Sequence, residues 1–347
     1  LIPRVPGTND PFTGSTYWRP LLSWVDVYGT PPLPGTLENM LAKLPRLGTA
    51  RLLSKWNSTT SKTSGEELDG LQRGIVIALS RNHPLRDTIL QTMNVSSLAY
   101  IVGVEHSAAL GVLAALHCGD SMPDVGEADA ILLDVILAYN FECVGRLADT
   151  DRRSLQTELR SVPQSSERWH NAILRYHDFL EWTRESGREM AAKLGVTDLD
   201  VLLRSRTGLS YEESAAAVHA ISRQFGWIPG NRGSLLRIAD IVPDHENQQV
   251  LRRFIELWSQ SLDELRLYIG SSDLEAFKSR WTSVLLRRPI LALDDGLYMI
   301  PSRTFLENTI GAGLYFRLQD CVVNHQELRA LRQLFGAFFE QNVLSFS

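Results

Sequence analysis

Residues 96–118 read SSLAYIVGVEHSAALGVLAALHC. A helix this apolar on every side has no face to offer water, so it must lie inside a shell of other helices. That demand excludes a small open fold and requires a multi-helix body. A membrane is the competing solution. Glu105 and His106 interrupt this run, and Asp134 interrupts the apolar run after it, so neither makes a clean span. At 347 residues the chain is long enough for two or three such cores.

The same helical period runs through most of the chain. TLENMLAKLPRLGTARLLSKW predicts a helix opening on Thr36 as N-cap, with Glu38 in its first turn. NSTTSKTSGEE reads as a polar surface loop. LDGLQRGIVIALSR and ADAILLDVILAYNFECVGRL are further buried helices, the second packed on the central one. GLSYEESAAAVHAISRQFG is the clearest helix of all: Ser210 caps it, Glu213 reaches back, and Gly226 ends it. HENQQVLRRFIELWSQ, SDLEAFKSRW and SRTFLENTIGAGLYFRLQD follow, the last with a Thr304/Glu307 box, and a final helix begins near Asn324. The period changes at one place, SVLLRRPILALDDGLYMIP, where two short apolar runs flank DDG as in a β-hairpin.

Eight of the 15 prolines fall in residues 1–45, where long regular helices are ruled out. Trp18 and Trp24 lie there too and need cover, which predicts an extended arm laid over the body. The fold class is therefore mainly α: an irregular multi-helix body with an N-terminal Pro-rich arm and one small late β-hairpin. Three regions follow: the arm at 1–45, a helical body at 46–205, and a helical region with the hairpin at 206–347.

Composition narrows the chemistry. The net charge is -5, so the whole molecule is no polyanion binder, although a local basic face remains open. Lys43, Lys55, Lys62, Lys193 and Lys278 are the only lysines among 35 basic residues. The arginines are scattered and read as compositional bias rather than one oxyanion site. Cys118, Cys143 and Cys321 are too few and too dispersed for a disulfide scaffold or a four-cysteine zinc site, which fits a reducing cytoplasm.

Candidate catalytic groups weigh lightly. His170 and His177 share a helix face but stand about 10 Å apart along the axis, too far for one ion. Asp294 and Asp295 in LDDG suit turn amides better than acid–base work. No Walker loop or G-x-S-x-G elbow occurs. His106–Ser107 and His117–Cys118 are neighbours whose side chains diverge on a helix. A metal-dependent nuclease strand needs an acid two residues before a lysine. The residues in that position are Leu41, Leu53, Thr60, Ala191 and Ala276, and none qualifies.

Residues 208–347 carry a run of short motifs. They are a proline with two apolar residues (Pro289, Ile290, Leu291), then D-G-x-Y-x-x-P (Asp295 to Pro301), G-x-Y-x-x-L-x-D (Gly313 to Asp320) and F-G-x-x-F-E (Phe335 to Glu340). This pattern resembles bacterial proteins in which a helical region precedes a PD-(D/E)XK, restriction-endonuclease-like domain. The resemblance implies that the F-G-x-x-F-E helix opens the nuclease fold and that Glu340 serves catalysis there, only together with a downstream domain. On a helical wheel Glu340 falls about 200° from Phe338, away from the apolar face. The acid-x-Lys strand has no counterpart in this chain. The resemblance therefore implies a regulatory, sensing or scaffolding region, not catalytic as it stands, in a nuclease-associated protein of bacterial defence against foreign DNA. No cofactor belongs to this chain itself, and Mg2+ enters only with a downstream nuclease domain. The other reading is a non-enzymatic helical interaction or oligomerisation protein. Under either, the expected partner is a protein or a second copy; nucleic acid stays open as a partner, and no membrane is expected. The terminal helix carries Leu331, Leu334, Phe335 and Phe338 on one face, with Phe339 and Phe346 widening the stripe. It is expected to dock on the hairpin, leaving Phe339 and Val343 partly exposed.

Overall fold

A computed structural model describes residues 22–60, 65–96, 104–119, 123–148, 176–196, 198–224, 235–241, 245–269, 274–293 and 296–344. Trp18, His170, Gly226, Asp294, Asp295 and Phe346 lie outside the described residues. The architecture is mainly α with one small sheet, as the periodicity requires. The chain forms two compact units, Leu1–Val162 and Pro163–Ser347. Helices between 176 and 205, which the sequence groups with the helical body, thus belong to the second unit.

The first unit contains α1 (Trp24–Tyr28), α2 (Thr36–Leu41), α3 (Arg46–Thr60), α4 (Gly65–Leu79), α5 (Arg86–Ser96), α6 (Val104–His117) and α7 (Val125–Ala148). The central apolar segment is α6, where Ala108 to Ala115 are buried wherever they are hydrophobic. Its main neighbour is α3, while α7 packs chiefly on α2, α4 and α1. This corrects the expected α6–α7 core: those two helices meet where the His106 and Tyr139 rings stand edge to face at 5.9 Å. The supposed polar loop after Trp56 is also corrected. Asn57 to Thr60 continue α3, and Asn57, Ser58 and Thr60 are buried. Small side chains on α6 let the two backbones approach. Asn57 Nδ2 then donates to Ser107 Oγ at 3.1 Å, and Thr60 Oγ1 donates back to the Trp56 carbonyl at 2.7 Å.

The described part of the N-terminal region is not an extended arm. Residues 22–45 hold two short helices, and Leu22, Val27, Leu37, Leu41 and Leu44 in and beside them enter the core. Asn140 Nδ2 on α7 fixes the Leu22 carbonyl at 2.8 Å. Proline spacing allows this because each helix fits between prolines. Thr36 is the first helical residue rather than the N-cap. Gly35, at φ 78°, takes that place, and Pro45 ends the predicted long helix before α3 begins.

The second unit contains α8 (Tyr176–Arg184), α9 (Arg188–Lys193), α10 (Leu199–Thr207), α11 (Tyr211–Gln224), β1 (Leu235–Leu236), α12 (Ile238–Ile241), α13 (His245–Trp258) and β2 (Ser259–Ser261). It continues with α14 (Leu262–Ile269), α15 (Leu274–Arg287), β3 (Ile290–Ala292), β4 (Tyr298–Met299), α16 (Arg303–Asn308), a π-turn (Thr309–Gly313), α17 (Leu314–Cys321) and α18 (His325–Leu344). The predicted hairpin is β3–β4, antiparallel with Leu291 opposite Met299, and Gly296 at φ 68° supplies its left-handed turn. It forms the middle of a four-stranded sheet in the order β1-β4-β3-β2. The last strand, β2, takes in Ser259 and Gln260, which were expected to end the preceding helix. Ser259 pairs parallel with Ile290, and Gln260 Nε2 donates to the Arg288 carbonyl at 2.6 Å.

Local capping explains the helix starts. The Ser210/Glu213 box is present in both directions, at 2.7 and 3.1 Å. A second box, Ser261/Glu264, opens α14 at 2.8 and 3.1 Å. The proposed Thr304/Glu307 box is corrected: Ser302 is the N-cap, Thr304 lies inside α16, and Glu307 accepts instead from Arg303 Nε. The helix predicted through this region is broken by the π-turn, where Gly311 leaves helical geometry. Gly313 is required there, because a Cβ would stand 2.7 Å from the Asn308 carbonyl oxygen and 3.3 Å from the Trp258 ring.

Candidate functional site

The terminal helix α18 is divided lengthwise between an anchored face and an outward face. Leu331, Leu334 and Phe338 are almost fully buried. Phe335 stacks on Tyr315 with ring centroids 3.6 Å apart, and burial pushes the Tyr315 phenol up to about 12. Phe338 lies 5.3 Å from Phe179 and 5.7 Å from Trp182, both on α8. Trp182 Nε1 donates to Gln341 Oε1 at 2.6 Å, and Arg206 pairs with Glu327. The expected docking on the hairpin is thus replaced by docking on α8, α9 and the Tyr315 side of α17. Aromatic packing holds the helix there, since α8 offers Phe179 and Trp182 to Phe335 and Phe338.

On the other side Phe339 is 49% exposed and Glu340 is exposed. Glu340 therefore stands on the outward face, as the wheel places it. The side chain of Val343 lies outside the described residues. Arg329, Arg332 and Gln333 are exposed on the same helix. With His325 and Leu328 they line an open concavity of about 400 Å³. Arg332 Nε donates to a neutral partner, Gln319 Oε1, at 3.2 Å. Several arginines elsewhere in the unit meet carboxylates, Arg204 with Glu213, Arg266 with Asp263, Arg288 with Glu264 and Arg303 with Glu307, while Arg317 donates to the Leu257 carbonyl. Gly336 sits in the middle of the outward face, and a Cβ added there would meet nothing within 4 Å. The sequence reading saw Phe339 and Glu340 but missed the basic half. Its signal was the spacing of His325, Arg329 and Arg332 at i, i+4 and i+7.

In the first unit a polar network joins three elements. Tyr28 Oη donates to Asp134 Oδ1 at 2.7 Å, and His83 Nε2 lies 3.1 Å from the same oxygen. His83 Nδ1 accepts from the Leu85 amide at 3.0 Å, which places the ring proton on Nε2, directed at Asp134. Both ring nitrogens are occupied, so His83 has none free to activate a nucleophile. Burial, with Asp134 alongside, raises the Tyr28 phenol far above its ordinary range. The network is a clasp holding α1 to α7.

The remaining candidates fall to structural roles. Burial pushes the Cys118 thiol up to about 12, which keeps it a thiol and a poor nucleophile. His177 stacks on Tyr211 at 5.5 Å. Among the described residues no three His, Cys, Asp or Glu side chains converge on a metal position, and no helix is long and apolar enough to cross a membrane. Comparison with protein-family models, curated proteins and solved structures finds no match.

Proposed function

We propose that this chain works by binding protein, as a helical scaffold whose terminal helix α18 is the contact element. The supporting observation is the division of α18: Phe335 and Phe338 anchor it inward while Phe339, 49% exposed, and Glu340 face outward. Covering a large apolar side chain is worth about 1.5–3 kcal/mol, and aromatic and arginine side chains are the usual anchors of interfaces. A photo-crosslinking residue at Phe339 should therefore capture protein in the cells that make this chain. The same residue at Leu267, 85% exposed on α14, serves as control. Crosslinks at 339 no more frequent than at 267 would overturn the reading.

The resemblance to nuclease-associated proteins supports a second, finer reading. The scaffold would be a cytoplasmic regulatory or sensing region in defence against foreign DNA, and a nuclease domain would take the face around Glu340. Nucleic acid and Mg2+ belong to that domain. The chain itself should not cleave DNA with Mg2+ or Mn2+, because none of its lysines follows an acid by two positions. Chelator-sensitive cleavage by the purified chain would sink that expectation. Crosslinks from 339 to a nuclease domain would favour this second reading.

A further inference from the structure

We propose that α18 pairs antiparallel with α18 of a second copy, with Gly336 on the two-fold axis. The inference rests on α18 as the contact element and names its partner. Glycine inside a helix weakens it relative to alanine, and it is retained where another backbone comes close. No atom of the described chain comes close at Gly336: a Cβ there would have open space. The approach it permits is from outside.

The residues flanking Gly336 are self-complementary. Arg332 lies four residues before it and Glu340 four after, each about 6 Å along the axis from the proposed dyad. Reversing one helix against the other places Arg332 of each copy opposite Glu340 of its mate. A two-fold axis therefore forms the ion pair twice, as an isologous interface does. Within one copy, among the described residues, Arg332 donates to neutral Gln319, and Glu340 is exposed. The same reversal sets Phe339 of one copy against Gln333 and Arg332 of the other. There the concavity lined by Leu328, Arg329, Arg332 and Gln333 has room for its ring, with the guanidinium against its face. Arg329 meets the last turn of the opposite α18, where the helix dipole favours cations.

The contact is one helix wide, so the dimer should form in the micromolar range. Sedimentation equilibrium of the full chain tests it. Arg332→Glu and Glu340→Arg should each weaken dimerisation at least about tenfold, and the double variant should return to within about threefold of the original. Gly336→Leu, which has room within its own chain, should give a folded monomer. Circular dichroism and the melting temperature confirm that each variant folds. A monomer throughout the micromolar range overturns the proposal, as does a dimer indifferent to these changes or one the charge swap fails to restore. A monomeric chain that still crosslinks to another protein at 339 overturns the pairing and leaves the scaffold reading standing. A monomer with no excess crosslinking there removes both.

Discussion

Desolvation pushes His106 down to about 4, with the Tyr139 ring edge-on beside it. The unfolded chain takes up a proton there near pH 6.5, the folded chain only near 4. The unfolded state therefore binds more protons through that window, and stability present above pH 6.5 is lost as the pH falls toward 4. The loss is at most on the order of 3 kcal/mol. Chemical denaturation across that range should show it, and the slope should flatten in His106→Phe. An unchanged slope would show that other groups govern it. Asp134 makes a second case. Asp134→Ala strands both the Tyr28 hydroxyl and the His83 Nε2–H, at an expected cost on the order of 2–4 kcal/mol in urea unfolding. A loss below a few tenths would mean that water replaces the carboxylate. Some single-residue features were legible because they depend on near neighbours, as with Ser210, Glu213 and the outward Glu340. Thr36 and Thr304 misled because Gly35 and Ser302, just before them, have the non-helical backbone an N-cap needs. Ser261 and Glu264 carried the spacing of a capping box, but they fell just past the helix predicted to end at Gln260 and were passed over.

At the scale of elements, two glycines in motifs of similar character make opposite predictions. Gly313 touches the Asn308 carbonyl oxygen and the Trp258 ring, so Gly313→Ala forces main chain to move and should cost about 1–3 kcal/mol. A Cβ at Gly336 would meet nothing within 4 Å, so Gly336→Ala should stabilise α18 by up to about 1 kcal/mol. Thermal denaturation of the two variants at a concentration that keeps the chain monomeric compares them directly. Shifts of the same sign would refute the contrast. The break at the π-turn explains why periodicity ran SRTFLENTIGAGLYFRLQD together as one helix: the apolar spacing continues across Gly311 while the backbone does not. The polar end of α3 was missed for the complementary reason. NSTT has loop composition, and only the small face of α6 makes its burial tolerable. The hairpin was visible because the turn residues DDG separate two apolar runs. Its flanking strands β1 and β2 were not, since strands of two or three residues carry no period of their own.

At the scale of the molecule, the second unit has a core that closes on itself. The cluster runs from Tyr176 and Phe179 through Phe254, Trp258 and Ile290 to Leu331 and Phe338, all within Pro163–Ser347. The sequence indicated a mainly α protein with more than one core, but the division near residue 162 had no compositional mark. The stretch around it carries no proline–glycine linker, and helical periodicity runs on both sides of it. A closed core predicts an independent folding unit, since the burial that offsets chain entropy is supplied locally. The fragment 163–347, expressed alone, should be helical by circular dichroism and melt in one cooperative step. Leu331→Ala and Phe254→Ala, each at a site with 0% exposure, should lower its stability by about 2–5 kcal/mol, in the fragment as in the full chain. The two values should agree, because both side chains belong to a cluster whose described members all lie in the second unit. A fragment without a cooperative transition, or losses that differ by more than about 1 kcal/mol between fragment and full chain, would mean that the second unit depends on the first for its core.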